Sequence, residues 1–510
     1  MDAEYFRKAL YNRRNRQFNI ALNYYFAGDY KRAIPLLLKC RTSNALFLLA
    51  RYNYLIKPDY ANMMKYVDLS KNNSYSICLL ADYYCKVTKD YTLAKEYYNK
   101  SIEMNNTVAM NNLGYYYHYI EKDYELMKKY FLMAIELGNS SAMCNLGIYY
   151  QKIEKDYVLM KKYYLMAIEL NYSRAMNAMG YYYDTIERDY ESAKKYYLMA
   201  IKNKNSDAMF NLGRYYTGKD YKLMMKYYLM AIENNQSDAM YELGNYYSEI
   251  EKDYDLMKKY YLMAIKRKHS QAMCSLGDYY YFIEKNYELM KKYYLMSIKL
   301  ANSTAMNNYA AYYKYIEKYT LMKKYYLMSI EFGNSYAMFN LALYYEEIER
   351  NYELAKKYYL MAIEKKNSIA MYELGNYYIA IEKDYELMKK YYLMAIELQN
   401  VSAMRSLGNY YMADDIELAK KYLTMALVNG ESSVLDTLSK IMPKSELLQL
   451  DVPMSKFSNL DQYKYFGMGA IADECGICLT NGDLILMPRC THRTCSECYI
   501  QLNICPYCRA

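Results

Sequence analysis

The chain has 510 residues, a net charge of +10 with 24% charged residues, 76 tyrosines, 38 methionines, no tryptophan and six prolines. That charge is too small for its size to point by itself to nucleic acid, and no run approaches the roughly 20 apolar residues that a membrane helix needs. The length accommodates several globular domains or one long repeat array.

Taken from the start, MDAEYFRKALYNRRNRQ carries charges where a signal peptide needs an apolar core. Cys40, Cys78, Cys85, Cys144 and Cys274 are scattered rather than paired. Both features predict a reducing compartment, cytoplasm or nucleus. Residues 1–42, with Asp29-Tyr30-Lys31-Arg32-Ala33, read as a divergent first repeat and polar cap.

From residue 43 to 442 one unit recurs about 12 times, as in SAMCNLGIYYQKIEKDYVLMKKYYLMAIELNY beginning at Ser141. A phase alanine marks it at Ala109, Ala142, Ala175, Ala208, Ala239, Ala272, Ala305, Ala337, Ala370 and Ala403, with Ala45 and Ser76 before and Val434 after. The steps are 33 residues apart from a few of 31 or 32. Each unit predicts two helices. In the first, Ala142, Leu146, Tyr150 and Ile153 share one face by their spacing of four and three. The second starts after Asp156, whose counterparts are nearly always Asp or Asn, residues whose side chains accept from the free amides of a first turn; Lys318 is the exception. Tyr157, Met160, Tyr164, Ala167 and Ile168 form its apolar stripe, and Lys161-Lys162 its wet side. Five residues after the phase alanine stands Gly or Ala in every full copy, as at Gly114, Gly147, Gly277, Ala310 and Gly375. Glycine inside a helix costs about 1 kcal/mol relative to alanine, so its repetition predicts a neighbour too close for a larger side chain.

A helix pair at this period, with A-x-x-x-L-G-x-x-Y and then D-Y-x-x-x-x-K-Y-Y-x-x-A-I, resembles the Sel-one-like repeat, a relative of the tetratricopeptide repeat. "IEKDY" stands where many members carry a glycine-rich loop between the helices. The Tyr-, Met- and Asn-rich style also resembles giant-virus repeat proteins, which implies a host cytoplasm if the source is viral. The fold class expected is an all-α helical-repeat solenoid followed by a small zinc-stabilised domain. Because neither helix of a pair buries its stripe alone, the pairs must stack, and such stacks present a long concave surface to a protein partner. Leu435, Leu438 and Ile441 predict a final capping helix, and residues 443–473 a linker.

The array holds no catalytic constellation. His118 and His269 fall in different phases and read as solvent-facing helix residues, and Cys144 and Cys274 as buried, inert thiols. The Tyr-Tyr and Lys-Lys pairs match stacking and phosphate contacts to RNA less well than they match a solenoid core and a solvated face, so no nucleic-acid partner is expected.

Residues 474–510 change character. Seven of the twelve cysteines and one of the three histidines form four pairs, Cys475/Cys478, Cys490/His492, Cys495/Cys498 and Cys505/Cys508. Thiolate and imidazole at these short gaps make two complete tetrahedral zinc sites, with no position left for water or substrate, so both are structural. The order of three Cys, one His and four Cys, with gaps of 2, 11, 1, 2, 2, 6 and 2, resembles the RING finger, and its 11- and 6-residue gaps the compact inhibitor-of-apoptosis type. The resemblance implies cross-braced ligation of two zinc ions, the first and third pairs on one and the second and fourth on the other. It further implies a ubiquitin ligase that holds a ubiquitin-charged conjugating enzyme without a covalent intermediate of its own. On the family's positions, Ile477 and Leu502 supply apolar docking contacts, Pro506 shapes the second docking loop, and Arg509 bridges ubiquitin and the conjugating enzyme with its multi-donor fork. Small-domain core is the other reading of Ile477 and Leu502, and an idle surface residue that of Arg509. RINGs of that type dimerise through residues after the last cysteine pair, where this sequence has only Arg509 and Ala510, so that route of pairing is not expected. The reading is a ubiquitin ligase whose solenoid selects a protein substrate. Its rival is a non-enzymatic scaffold whose zinc module only mediates assembly.

Overall fold

The computed structural model describes residue 10, residues 15–447 and 450, and the backbone of residues 472–474, 481–486 and 493–495. The chain divides into two compact units, Met1–Ala264 and Ile265–Ala510.

The first unit opens with the helices Arg16–Phe26 and Tyr30–Cys40, the divergent pair expected within residues 1–42. Regular pairs follow, such as Thr107–Tyr116 with Tyr124–Glu136 and Ser140–Tyr149 with Tyr157–Glu169. In the second unit the pairs run from Ser270–Phe282 with Tyr287–Ile298 to Val401–Tyr411 with Ile416–Val428. A short 3₁₀ turn, Ser432–Val434, and the helix Leu435–Ile441 close that array, with Val434, Leu435 and Leu438 buried as a cap requires. Each unit is therefore a helical-repeat solenoid.

The caps hold where the sequence puts them. The Asp156 carboxylate accepts from the amides of Val158 and Leu159, and the Asn139 side chain from Ala142. Lys318 makes no side-chain cap, and its helix begins there all the same because the rest of the apolar stripe is intact.

The segment between the paired helices is not a loop in the ordinary sense. In five repeats the first helix ends in a π-helical turn, as at Tyr117–Glu121, Tyr150–Glu154 and Tyr378–Glu382. A left-handed residue follows, Lys155 at φ 56° in the fourth repeat, before the cap of the next helix. Ile153, expected on the buried face of the first helix, is 46% exposed, and this corrects its assignment. Its counterparts Ile250, Ile283 and Ile348 are exposed too, in copies whose first helix has no π-helical turn; the position lies at the end of the first helix, outside the packed face.

The core of a repeat is built on the glycine. An added Cβ at Gly147 would lie 2.5 Å from the Tyr164 ring of the second helix, and at Gly114 2.7 Å from Phe131. The same contact recurs with Tyr197, Tyr228, Tyr261, Tyr294 and Tyr392. The close neighbour that the glycines predicted is thus an aromatic ring of the same repeat, except at Gly408, where it is Leu423. Tyr164 is fully buried, and a large side chain taken out of water contributes roughly 1.5–3 kcal/mol. A second tyrosine stacks beside it in parallel planes, Tyr150 on Tyr163 at 5.7 Å, and this pair too repeats along the chain, as with Tyr280 and Tyr293.

Three short strands lie in the C-terminal stretch, β1 Ala472–Glu474, β2 Asn481–Leu486 and β3 Arg493–Cys495. They form an antiparallel ribbon in the order β1-β2-β3, with Glu474 opposite Asn481, Leu486 opposite Arg493 and Leu484 opposite Cys495.

Candidate interaction face

Consecutive repeats are locked by a polar knot on the side away from the glycine. The Tyr149 hydroxyl donates to Glu154 Oε1 at 2.7 Å, and Lys128 Nζ, from the second helix of the preceding repeat, lies 2.9 Å from the same oxygen. Tyr116, Glu121 and Lys95 repeat this, as do Tyr377, Glu382 and Lys356. The lysine and the hydroxyl hold the Glu154 carboxyl below the usual range. Burial first, and then the glutamate beside it, pushes the Tyr149 phenol up to about 12. The first lysine of the pair is a strut between repeats at Lys128, Lys161, Lys323 and Lys356, whereas Lys291, Lys389 and Lys420 pair with Glu288, Glu386 and Glu417 of their own helices. The second, such as Lys162, lies over the ring of the tyrosine that follows it, at 5.5 Å.

Another stripe of the first helices differs from copy to copy. Counted from the phase alanine, positions two, three, six and nine vary while their surroundings hardly change. Positions two, six and nine follow the i, i+4, i+7 spacing of one helical stripe, and position three lies three residues before six on its flank. The buried tyrosine beneath the glycine reaches this stripe with its hydroxyl. Tyr164 donates to Gln151 at 2.8 Å, Tyr98 to Asp82 at 2.6 Å, Tyr261 to Asn245 at 2.7 Å and Tyr359 to Glu346 at 2.6 Å. Asparagines on the stripe bond from one repeat to the next, Asn145 to Asn111 and Asn211 to Asn177, both at 2.9 Å. In the second unit, burial pushes the Asp278 carboxyl above its ordinary range, against the opposing donors Tyr294 and Asn308. The signal for this face lay in the differences between copies, which a reading of the shared motif passes over.

His118 and His269 are not the solvent-facing residues expected. His118 is half-buried among Tyr119, Tyr124 and Tyr149, with Nδ1 3.1 Å from the Met127 sulfur, and burial lowers its pKa. His269 caps the helix Ser270–Phe282, its Nδ1 accepting from the Ala272 amide where other copies use Asn. Cys144 and Cys274 are buried as expected, and burial pushes the Cys144 thiol up to about 12, which leaves it inert.

The repeat model described as Sel1 repeat matches residues 75–106, 107–139, 140–172, 173–205, 206–236, 237–269, 335–367 and 368–400. Together these make up half of the chain. The chain belongs to the Sel1 repeat family. Every match after the first begins two residues before a phase alanine, and the unmatched copies between 270 and 334 fold as the same helix pairs. A protective antigen of uropathogenic Escherichia coli with an SLR fold is 20% identical, over 81% of this chain and 97% of that one, at a TM-score of 0.42. A Sel1 repeat protein from Oxalobacter formigenes is 28% identical, over 43% of this chain and 96% of that one, at 0.35. An immunity protein from Pseudomonas aeruginosa is 22% identical, over 38% of this chain and 80% of that one, at 0.31. No curated protein matches the chain. A Sel1 repeat array is a protein-interaction architecture, and no helix among the described residues is long and apolar enough to cross a membrane.

Of the expected metal ligands, Cys495 is the last residue of β3. Cys475, Cys478, Cys490, His492, Cys498, Cys505 and Cys508 lie outside the described residues, as do Ile477, Leu502, Pro506 and Arg509.

Proposed function

We propose that the repeat array binds a protein substrate and that a C-terminal RING-type module recruits a ubiquitin-charged conjugating enzyme to it. The observation that carries this reading is the order and spacing of eight zinc-type donors in the last 36 residues. Seven thiolates and one imidazole fit two closed tetrahedral sites in a reducing compartment, where disulfides do not form. Zinc at such sites supplies shape, since metal binding is the folding energy of a module too small for a core of its own.

In this reading Ile477 and Leu502 dock the conjugating enzyme, Pro506 fixes the docking loop, and Arg509 hydrogen-bonds ubiquitin and the enzyme together. The gain in rate comes from restricting the flexible thioester to a reactive geometry. Auto-ubiquitination with a panel of conjugating enzymes tests this directly. Wild type is expected to build chains with at least one enzyme, and Ile477→Ala and Arg509→Ala to lose most of that signal. Background signal from all three across the panel counts against it. The second reading, a scaffold whose zinc module only mediates assembly, is favoured by a family match confined to the repeats. A zinc-dependent oligomer without ligase activity would decide for it.

A further inference from the structure

The variable stripe of the first unit contains two cavities. One of about 380 Å³ lies where the helices Ser43–Leu55 and Ser74–Tyr83 meet, walled by Phe47, Tyr54, Leu79 and Val108, with Arg51 and Lys86 among its lining. A smaller one, of about 130 Å³, lies between the third, fourth and fifth repeats, among Tyr115, His118, Ile148 and Tyr149, with Lys152 and Arg174. Tyr115 and Tyr119 beside it are each about half exposed, with ring centroids 4.3 Å apart.

The two linings hold four cations and one carboxylate. That carboxylate, Asp82, is 1% exposed and already accepts from the Tyr98 hydroxyl at 2.6 Å, Asn112 at 3.2 Å and Lys86 at 3.0 Å. Lys86 and Asp82 thus neutralise one another, and the stripe faces outward as apolar cavities edged by the positive charge of Arg51, Lys152 and Arg174. The corresponding positions carry Asp184, Asp207, Asp238, Glu242 and Glu249 against Arg214 farther along the first unit, and Asp278, Glu346, Glu347 and Glu373 against Lys314 and Arg405 in the second, so the cationic character belongs to the stretch from Phe47 to Arg174. Aliphatic walls such as Leu79, Val108 and Ile148 suit side chains better than bases, and separate cations suit spaced carboxylates better than a continuous phosphate track.

Building on the protein-interaction reading of the array, we propose that the first-helix stripe from Phe47 to Arg174 holds an extended acidic segment of a partner protein. Its apolar side chains fill the two cavities, and its carboxylates meet Arg51, Lys152 and Arg174. The test is selection of a random displayed-peptide library on the full-length chain. Enriched peptides are expected to combine aromatic or aliphatic residues with Asp or Glu. The double variant Lys152→Glu/Arg174→Glu, whose sites are exposed and whose folding is checked by melting, is expected to bind the selected peptides at least about tenfold more weakly at low salt, an effect that fades as salt rises. Basic or charge-neutral consensus sequences, no enrichment, unchanged binding by the double variant, or tighter binding of an oligothymidylate than of any peptide would each overturn the proposal. Auto-ubiquitination of the wild-type chain does not depend on the outcome, so this inference and the ligase reading fail separately.

Discussion

In the repeat of residues 140–172, Ala142, Cys144 and Leu146 of one helix are buried against Met160, Tyr164 and Ala167 of the other, and each neighbouring repeat does nearly the same. The last 36 residues contain no such stripe and no phase alanine, only short runs between cysteines. Stability in the array is a sum over many small and similar contacts, so a defect in one copy stays near that copy. In the proposed zinc module it rests on eight side chains and two ions, so one lost ligand undoes the whole. The contrast explains how one chain tolerates copy-to-copy variation on the face of its first helices while the spacing of its terminal cysteines stays narrow.

The largest effect that would break this contrast is loss of the metal. Removing zinc by chelation, or replacing a ligand as in Cys478→Ser, is expected to abolish metal content by elemental analysis and all ligase signal, while far-ultraviolet circular dichroism keeps the helical signal of the array. A parallel loss of helix would show that the two regions are not independent. Within the array, Gly147→Leu has to displace the Tyr164 ring and is expected to cost about 3 kcal/mol, seen as hydrogen exchange confined to the fourth repeat and its neighbours. Gly147→Ala should cost far less, because Ala81, Ala310 and Ala342 occupy the same position in copies whose Tyr98, Tyr326 and Tyr359 remain buried. Global unfolding from that single alanine would contradict the repeat-by-repeat picture.

Proton linkage gives a smaller and more distributed effect. Tyr149, Tyr182, Tyr344 and Tyr377 are pushed up to about 12, so the folded state holds their protons longer than the unfolded state does. Their contribution is whole below the ordinary phenol value near 10 and is lost as pH rises toward 12. Phenolate absorbance should therefore rise late, together with loss of helix. The partner carboxylates Glu154, Glu187 and Glu349 are held low, so their share is present above pH of about 4.3 and is lost below it. The smallest effect is expected at Lys155, which sits in the left-handed region. Lys155→Gly relieves that strain but adds freedom to the unfolded chain, for a net gain of under about 1 kcal/mol in a denaturant melt. A gain above that would mean the left-handed lysines are a larger reservoir of strain than their repetition suggests.

The sequence by itself determined what is local and periodic. The 33-residue step sets the helix pair, the Asp and Asn caps set where helices begin, and the recurring glycine announces a close neighbour; each is written within one repeat or in its repetition. The order of terminal cysteines is likewise a statement about short spacings. Tertiary structure alone decided which atoms meet across longer separations: the Tyr164 ring on Gly147, Lys128 with Glu154 from the next repeat, His118 among three tyrosines, and the cavity shared by the first helices of three repeats. The exposure of Ile153 belongs to the same class. Hydrophobic period does not record where a packed face ends, and the contacts that distinguish one copy from another run between repeats, some 26 to 34 residues apart, where no local pattern records them.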